Sequence, residues 1–224
     1  MLAIDAQGVS KRFGEVAALR RVGLWVKEGE IVALTGSNGA GKSTLLRILA
    51  TTVSPDSGSV TVAGHDALTD PVGVRQQIGV LLPDERSWYL RLSARANLEF
   101  FAALHGLNRR EARDRARGLL AEMDLAGVGD RPLSGWSSGM RLRLALARAQ
   151  LGRPRVLLLD EPTRSLDQSS REWFGEALAS LVERTGASVV LATHEPAEAS
   201  LARRVVTLSE GTVVERVSVE EAAQ

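Results

Sequence analysis

The chain has no cysteine, so disulfides and thiolate metal sites are excluded. It has almost no net charge: +1 over 224 residues leaves no electrostatic footprint for DNA or RNA, and no nucleic-acid partner is expected. No apolar run approaches the roughly 20 residues that a membrane span requires. Met1-Leu2-Ala3-Ile4-Asp5 lacks the basic start and long apolar stretch of a signal peptide. A cytosolic location is therefore expected, with a peripheral place at a membrane left open. Internal repeats and low-complexity linkers are also absent, which argues for one domain. Its length suffices for one large α/β domain with a real core, or for one domain carrying a small subdomain.

What is present centres on Gly36-Ser37-Asn38-Gly39-Ala40-Gly41-Lys42-Ser43-Thr44, which fits the phosphate-cradling pattern Gly-x-x-x-x-Gly-Lys-Ser/Thr. Ile31-Val32-Ala33-Leu34-Thr35 in front of it is short and apolar, as a buried strand is. Leu45, Leu46, Ile48 and Leu49 behind it recur at helical spacing, so the loop opens a helix. A helix N-terminus offers unpaired N–H groups and a partial positive charge to a triphosphate. Lys42 is placed to reach the β- and γ-phosphates, and Ser43 to ligate Mg²⁺. A nucleoside triphosphate and Mg²⁺ are the expected ligands of this loop.

Residues 1–26 read as strands, with Val22, Leu24 and Val26 alternating and Lys27-Glu28-Gly29-Glu30 turning into the loop strand. Ser54-Pro55-Asp56-Ser57-Gly58 is a further turn before a short strand through Val60 and Val62. An apolar run from Ile78 to Pro83 precedes another loop. From about residue 84 to 150 the pattern becomes helical, with Leu98, Phe101, Leu119 and Leu120 on apolar stripes and many Arg and Glu on solvated faces. Val156-Leu157-Leu158-Leu159 and Ser188-Val189-Val190-Leu191 suit strands covered on both faces. Val205 to Val214 closes the chain as a hairpin. The expected fold is α/β: a P-loop NTPase core with a mainly parallel sheet, an N-terminal antiparallel β subdomain, and an inserted helical lobe at about 84–150 between core segments at about 1–83 and 151–224.

Leu157-Leu158-Leu159-Asp160-Glu161-Pro162 ends a buried strand in two acids. Asp160 is placed to hold the Mg²⁺ touched by Ser43, and Glu161 to take a proton from an attacking water. Two acids also end many strands simply because loops are polar.

With these residues in view, the sequence resembles the ATP-binding cassette family, specifically the nucleotide-binding subunit of a transporter, over nearly its whole length. The resemblance rests on the phosphate loop, on LLLDEP at 157–162, on Ser165-Leu166-Asp167, and on Thr193-His194. The family's signature sequence has two candidate positions. Leu133-Ser134-Gly135 looks like its start, but the family places the serine directly before a Gly-Gly-Gln/Met stretch and an Arg/Leu-rich helix. That pattern matches Trp136-Ser137-Ser138-Gly139-Met140 followed by Arg141 to Arg148, so Ser137, Ser138, Gly139 and Met140 are assigned to the signature.

The resemblance implies that two such domains sandwich two ATP molecules, each held between the phosphate loop of one copy and the signature of the other. A homodimer is the simplest arrangement, and a polytopic membrane permease the expected partner. It further implies that Phe13 stacks on adenine, the alternative being a core phenylalanine. His194 would hydrogen-bond the γ-phosphate, the alternative being an ordinary strand-end histidine. Asp167 would bridge the two copies. In place of the family's loop glutamine stands Asp84, followed by Glu85, in a loop one residue longer. Asp84 is either a metal contact or a solvated acid. Arg164 stands where a small residue is common. The stretch from Ile78 to Phe101 is similar to the ATPases of exporters for drugs or polysaccharides. Two other functions stay open: a non-transport cassette ATPase, whose usual coiled coil or basic extension is missing, and an ATP-binding regulatory subunit, against which intact Lys42, Asp160, Glu161 and His194 argue.

Overall fold

The computed structural model describes residues 1–82, 88–164 and 166–218. β1 (Leu2–Phe13) and β2 (Val16–Lys27) pair antiparallel from Phe13 opposite Val16 to Leu2 opposite Lys27. β4 (Ser57–Val62) adds to β1 and β5 (His65–Asp66) to β4, giving a four-stranded antiparallel sheet in the order β2-β1-β4-β5. This is the expected N-terminal subdomain.

The second sheet contains β3 (Ile31–Thr35), β6 (Ile78–Leu81), β7 (Val156–Asp160), β8 (Ser188–Ala192), β9 (Arg204–Ser209) and β10 (Thr212–Ser218). Its order is β10-β9-β3-β8-β7-β6, parallel throughout except for the terminal β9–β10 hairpin. β7 and β8 are buried along their whole length. Because side chains alternate along a strand, Val156, Leu158, Val190 and Ala192 enter one hydrophobic cluster, and Leu157, Leu159, Val189 and Leu191 enter the other. Their continuous apolar sequence follows from having no solvent face.

The first cluster lies between the two sheets around α1 (Lys42–Leu49), whose Leu45, Leu46, Ile48 and Leu49 are all inaccessible. α2 (Pro71–Gln77) is a short helix that adds buried Val74 to this cluster, with Asp70 accepting from Gly73 N–H at its start. The second cluster is built by α3 (Ala94–Leu104), α4 (Arg109–Glu122), α5 (Ser138–Ala149) and α6 (Gln168–Thr185) against β7 and β8, with α7 (Pro196–Ala199) a single turn after β8. Local sequence sets these helix starts. Asn108 and Glu111 form a reciprocal capping box on α4, which explains how an Arg/Glu-rich segment holds a sharp N-terminus. Ser93 caps α3 and Asp167 caps α6 one way only, each side chain accepting from the N–H three residues on. α5 therefore belongs by packing to the same apolar cluster as the strands that carry Asp160.

Candidate nucleotide site

β3 delivers the chain into the loop 36–41, and α1 begins at Lys42 with no side-chain cap on its first turn. The leading backbone N–H groups of α1 are thereby left for another acceptor. Glycine is required at both ends of the loop. Gly36 has φ 136°, and a Cβ there would strike the Leu208 carbonyl; Gly41 has φ 106°, and its Cβ would lie 2.6 Å from the Ala18 carbonyl. The loop is fixed from behind, Ala40 O accepting from Gly211 N–H at 3.1 Å and Gly211 O from Arg20 N–H at 2.7 Å. Lys42 is nearly buried and folds back over the loop, its Nζ donating to Gly36 O at 2.6 Å and Ser37 O at 3.2 Å. Its ammonium thus occupies the concavity itself.

Two acids face this loop from the end of β7. Asp160 is 2% exposed, and neither carboxylate oxygen has a hydrogen-bond partner among the described residues. Burial pushes its pKa up from 3.8; the nearby Ser43 hydroxyl pulls it down, Glu161 raises it again, and Arg47 and Lys42 oppose that. The Ser43 hydroxyl is close enough to act electrostatically but not in hydrogen-bond geometry. A buried carboxylate with two unsatisfied oxygens beside a serine hydroxyl is a suitable donor set for a hard divalent cation such as Mg²⁺. Glu161 has a left-handed backbone, φ 47°, held by its N–H donating to Ala192 O at 2.8 Å. Such strain in a non-glycine residue is tolerated where surrounding structure imposes it. Its carboxylate is ringed by cations: Lys42 Nζ at 3.9 Å and His194 Nδ1 at 3.6 Å from Oε1, and Arg164 Nη1 at 3.3 Å from Oε2, the histidine contact being ionic only when protonated.

These groups border a groove of about 1030 Å³, large enough for a nucleoside triphosphate. Asn38, Gly39, Ala40, Gly41, Lys42, Ser43 and Thr44 form its base together with Asp160, Glu161 and Arg164. Val16, Ala17, Ala18 and Arg20 of β2 supply a side wall. Phe13 is at the β1–β2 turn, half exposed, with Lys11 Nζ 5.6 Å from its ring, and is not part of this wall. Its exposure removes the core alternative. His194 is exposed at the end of β8, next to Glu161 rather than in the groove wall.

α5 begins at Ser138, and Ser137 Oγ accepts from Met140 N–H at 3.2 Å. Ser134 instead belongs to the preceding turn, its N–H donating to Leu90 O at 3.1 Å, while Leu133 is buried. Ser138 and Arg141 lie on the far side of the groove. Gly139 packs against the start of α6, where a Cβ would lie 2.6 Å from Ser170 Oγ. The Asp167 carboxylate is engaged by Ser170 N–H at 2.8 Å and Ser169 Oγ at 3.0 Å, bonds that hold its pKa below 3.8. Asp84, Glu85 and Ser165 lie outside the described residues.

Three contributors had not been expected. The Asn97 side chain, fully buried, receives Tyr89 N–H at 3.0 Å and donates to the Tyr89 and Ser93 carbonyls, fixing the chain just beyond residue 88. Its signal was an asparagine on the apolar stripe of Ala94, Leu98 and Ala102. Thr163 Oγ1 donates to buried Glu198, tying the loop after Glu161 to the turn after His194. The β2 wall is the third; a strand of ordinary alternation gives no sign that it borders a ligand.

Residues 19–164 match the family model described as ABC transporter. A Bacillus subtilis protein named ABC transporter ATP-binding protein NatA is 37% identical over 94% of this chain and 87% of its own length. The daunorubicin resistance ATP-binding protein DrrA3 of Streptomyces coeruleorubidus is 40% identical over 98% of this chain and 69% of its own. Among solved structures, a dimeric post-hydrolysis state of the ATP-binding cassette MJ0796 bound to ADP and Pi superposes with TM-score 0.87 at 28% identity, covering 96% of this chain and 98% of that one. The cbiO1 protein of Clostridium perfringens, part of the transporter complex cbiONQ, gives TM-score 0.89 at 25% identity, covering 99% and 90%.

Proposed function

The chain belongs to the ABC transporter family, and from that premise we propose how its residues divide the work of an ATP-hydrolysing transporter subunit. The observation that carries the reading is the meeting of Lys42, the two orphaned oxygens of Asp160, and Glu161 at one end of one groove.

The loop 36–44 binds the phosphates through its backbone N–H groups, and Lys42 exchanges its two loop carbonyls for the β- and γ-phosphate oxygens. Ser43 and Asp160 hold Mg²⁺, which when bound supplies neutralising charge to the phosphate oxygens. Once phosphate draws Lys42 away, Glu161 accepts the proton of the attacking water, and His194, 3.6 Å from it, orients that water and the γ-phosphate. The transferred group still faces solvent on one side. Closing a second copy over it, with Ser137, Ser138, Gly139 and Met140 at the N-terminus of the partner's α5, excludes water and adds N–H donors. Phe13, exposed beside the β2 wall, is the proposed adenine platform, and Asp167 stays with its capping role at the start of α6. Asp84 is the proposed metal-sensing acid of the loop that follows β6. The chain works as one domain with a core lobe and a helical lobe, at the cytoplasmic face of a membrane, driving a separate permease.

No helix among the described residues is long and apolar enough to cross a membrane. Export is favoured because relatives named for daunorubicin resistance are 40% and 43% identical to this chain, against 36% to 38% for those named for sulfate or iron import. The deciding experiment is purification from detergent-solubilised membranes and identification of what accompanies the chain. A polytopic membrane protein is the expected companion; a ribosome or nucleic acid would overturn the reading.

A further inference from the structure

A second cavity, of about 520 Å³, lies where β7 and β8 begin, at the opposite end of those strands from Asp160. Its walls combine small apolar surfaces, Ala3, Leu181 and Ala187, with the guanidinium groups of Arg115, Arg153 and Arg155 and one acid, Glu28. We propose that this cavity binds a phosphate monoester with a small apolar body.

The charge count favours a dianion. Arg155 is matched by Glu28, Nη2 to Oε1 at 2.6 Å, and the neighbouring Arg184 by Glu122 at 2.7 Å. Arg115 and Arg153 remain. Arg115 spends one N–H on the Gln150 carbonyl, while its Nε is buried with no hydrogen-bond partner among the described residues. Arg153 has no carboxylate within ion-pair distance among them. Burial lowers the pKa of Arg115, Glu122 raises it, and Arg153 and Arg184 lower it further, so these like charges are within electrostatic reach of one another. Glu111 and Asp114 face an adjacent groove that Arg115 and Arg153 also border, not this cavity.

Two unmatched guanidiniums correspond to the charge of a phosphate monoester, about −1.5 to −2 near neutral pH. Guanidinium also pairs with phosphate through two parallel hydrogen bonds, as a point charge does not. Arg153 moreover lines the cavity with a left-handed backbone, φ 51°, a costly conformation for a non-glycine residue. The cavity volume falls within the usual range for small-molecule sites.

The test titrates phenyl phosphate into the full chain by calorimetry, after the phosphate loop is saturated with Mg²⁺ and a non-hydrolysable ATP analogue. One additional site is expected, with phenol silent and benzoate binding more weakly. Arg153→Glu should weaken phenyl phosphate by at least about tenfold. Arg153→Gly should weaken it similarly without lowering the thermal midpoint, since glycine accepts the left-handed backbone. Absence of the additional site, equal affinity in wild type and Arg153→Glu, or benzoate binding as tightly as phenyl phosphate would each overturn the proposal.

Discussion

Asp160→Asn should stabilise the ligand-free protein while abolishing its response to Mg²⁺ and nucleotide. The wild-type carboxylate is 2% exposed, and both its oxygens lack hydrogen-bond partners among the described residues. Leaving a buried polar group unsatisfied costs about 1–3 kcal/mol, and more when the group is charged. Lys42, Arg47 and the Ser43 hydroxyl offset part of that, so a net gain of about 1–2 kcal/mol is expected from the neutral isostere. For a chain of this size that corresponds to a rise of roughly 2–8 °C in Tm. The pH dependence carries the sign. The folded pKa is raised above 3.8, so between the two values the folded state binds more protons than the unfolded one. The wild-type penalty is therefore full above the folded pKa and fades as pH falls, and the gap between variant and wild type should close on acidification. With Mg²⁺ and a non-hydrolysable ATP analogue at about 100 times its Kd, wild type should gain about 2.7 kcal/mol. The variant should gain much less. Thermal melts with and without ligand, from pH 7 downward, read all of this. A variant less stable than wild type without ligand, yet showing the full ligand shift, would refute the reasoning.

Lys42→Ala should weaken ATP binding roughly 30-fold or more, the scale of losing a buried charged contact, and near-normal affinity by calorimetry would contradict the loop's role. Ser137→Arg should block ATP hydrolysis while leaving nucleotide binding by the isolated chain largely intact, whereas Ser134→Arg, in the preceding turn, should be much milder; ATPase assays showing the reverse order would move the start of the signature.

The α/β architecture, with one antiparallel and one mainly parallel sheet, was legible because its strongest elements are local. β7 and β8 are buried on both faces and so read as unbroken apolar runs, and the phosphate loop is a contiguous motif whose end glycines, Gly36 and Gly41, are imposed by close backbone contacts. The position of α5 was legible too, since a serine followed by a periodic Arg/Leu segment marks a capped helix start. Contacts that join distant segments were not. Glu198 meets Thr163 across 35 residues, and nothing in the pattern of α7 marks it as buried. The β2 wall is likewise set by tertiary placement, because Val16, Ala17 and Ala18 have ordinary strand character. α2 and β5 escaped notice because they are only 7 and 2 residues long, too short for periodicity to register. The arginines of the second cavity come from α4, from the turn after α5, and from the residue before β7, so only the fold brings them together.

The central claim is that Glu161 is the base of an ATP site completed by a second copy of the chain. The most direct measurement is sedimentation of Glu161→Gln with Mg²⁺ and ATP, alongside its turnover. The amide keeps the shape and removes the base, so hydrolysis should fall by roughly 10²-fold or more while ATP still binds. The variant should then sediment as an ATP-dependent dimer and return to monomer when nucleotide is removed. A Glu161→Gln protein that binds ATP, turns it over at the wild-type rate and stays monomeric would contradict the account.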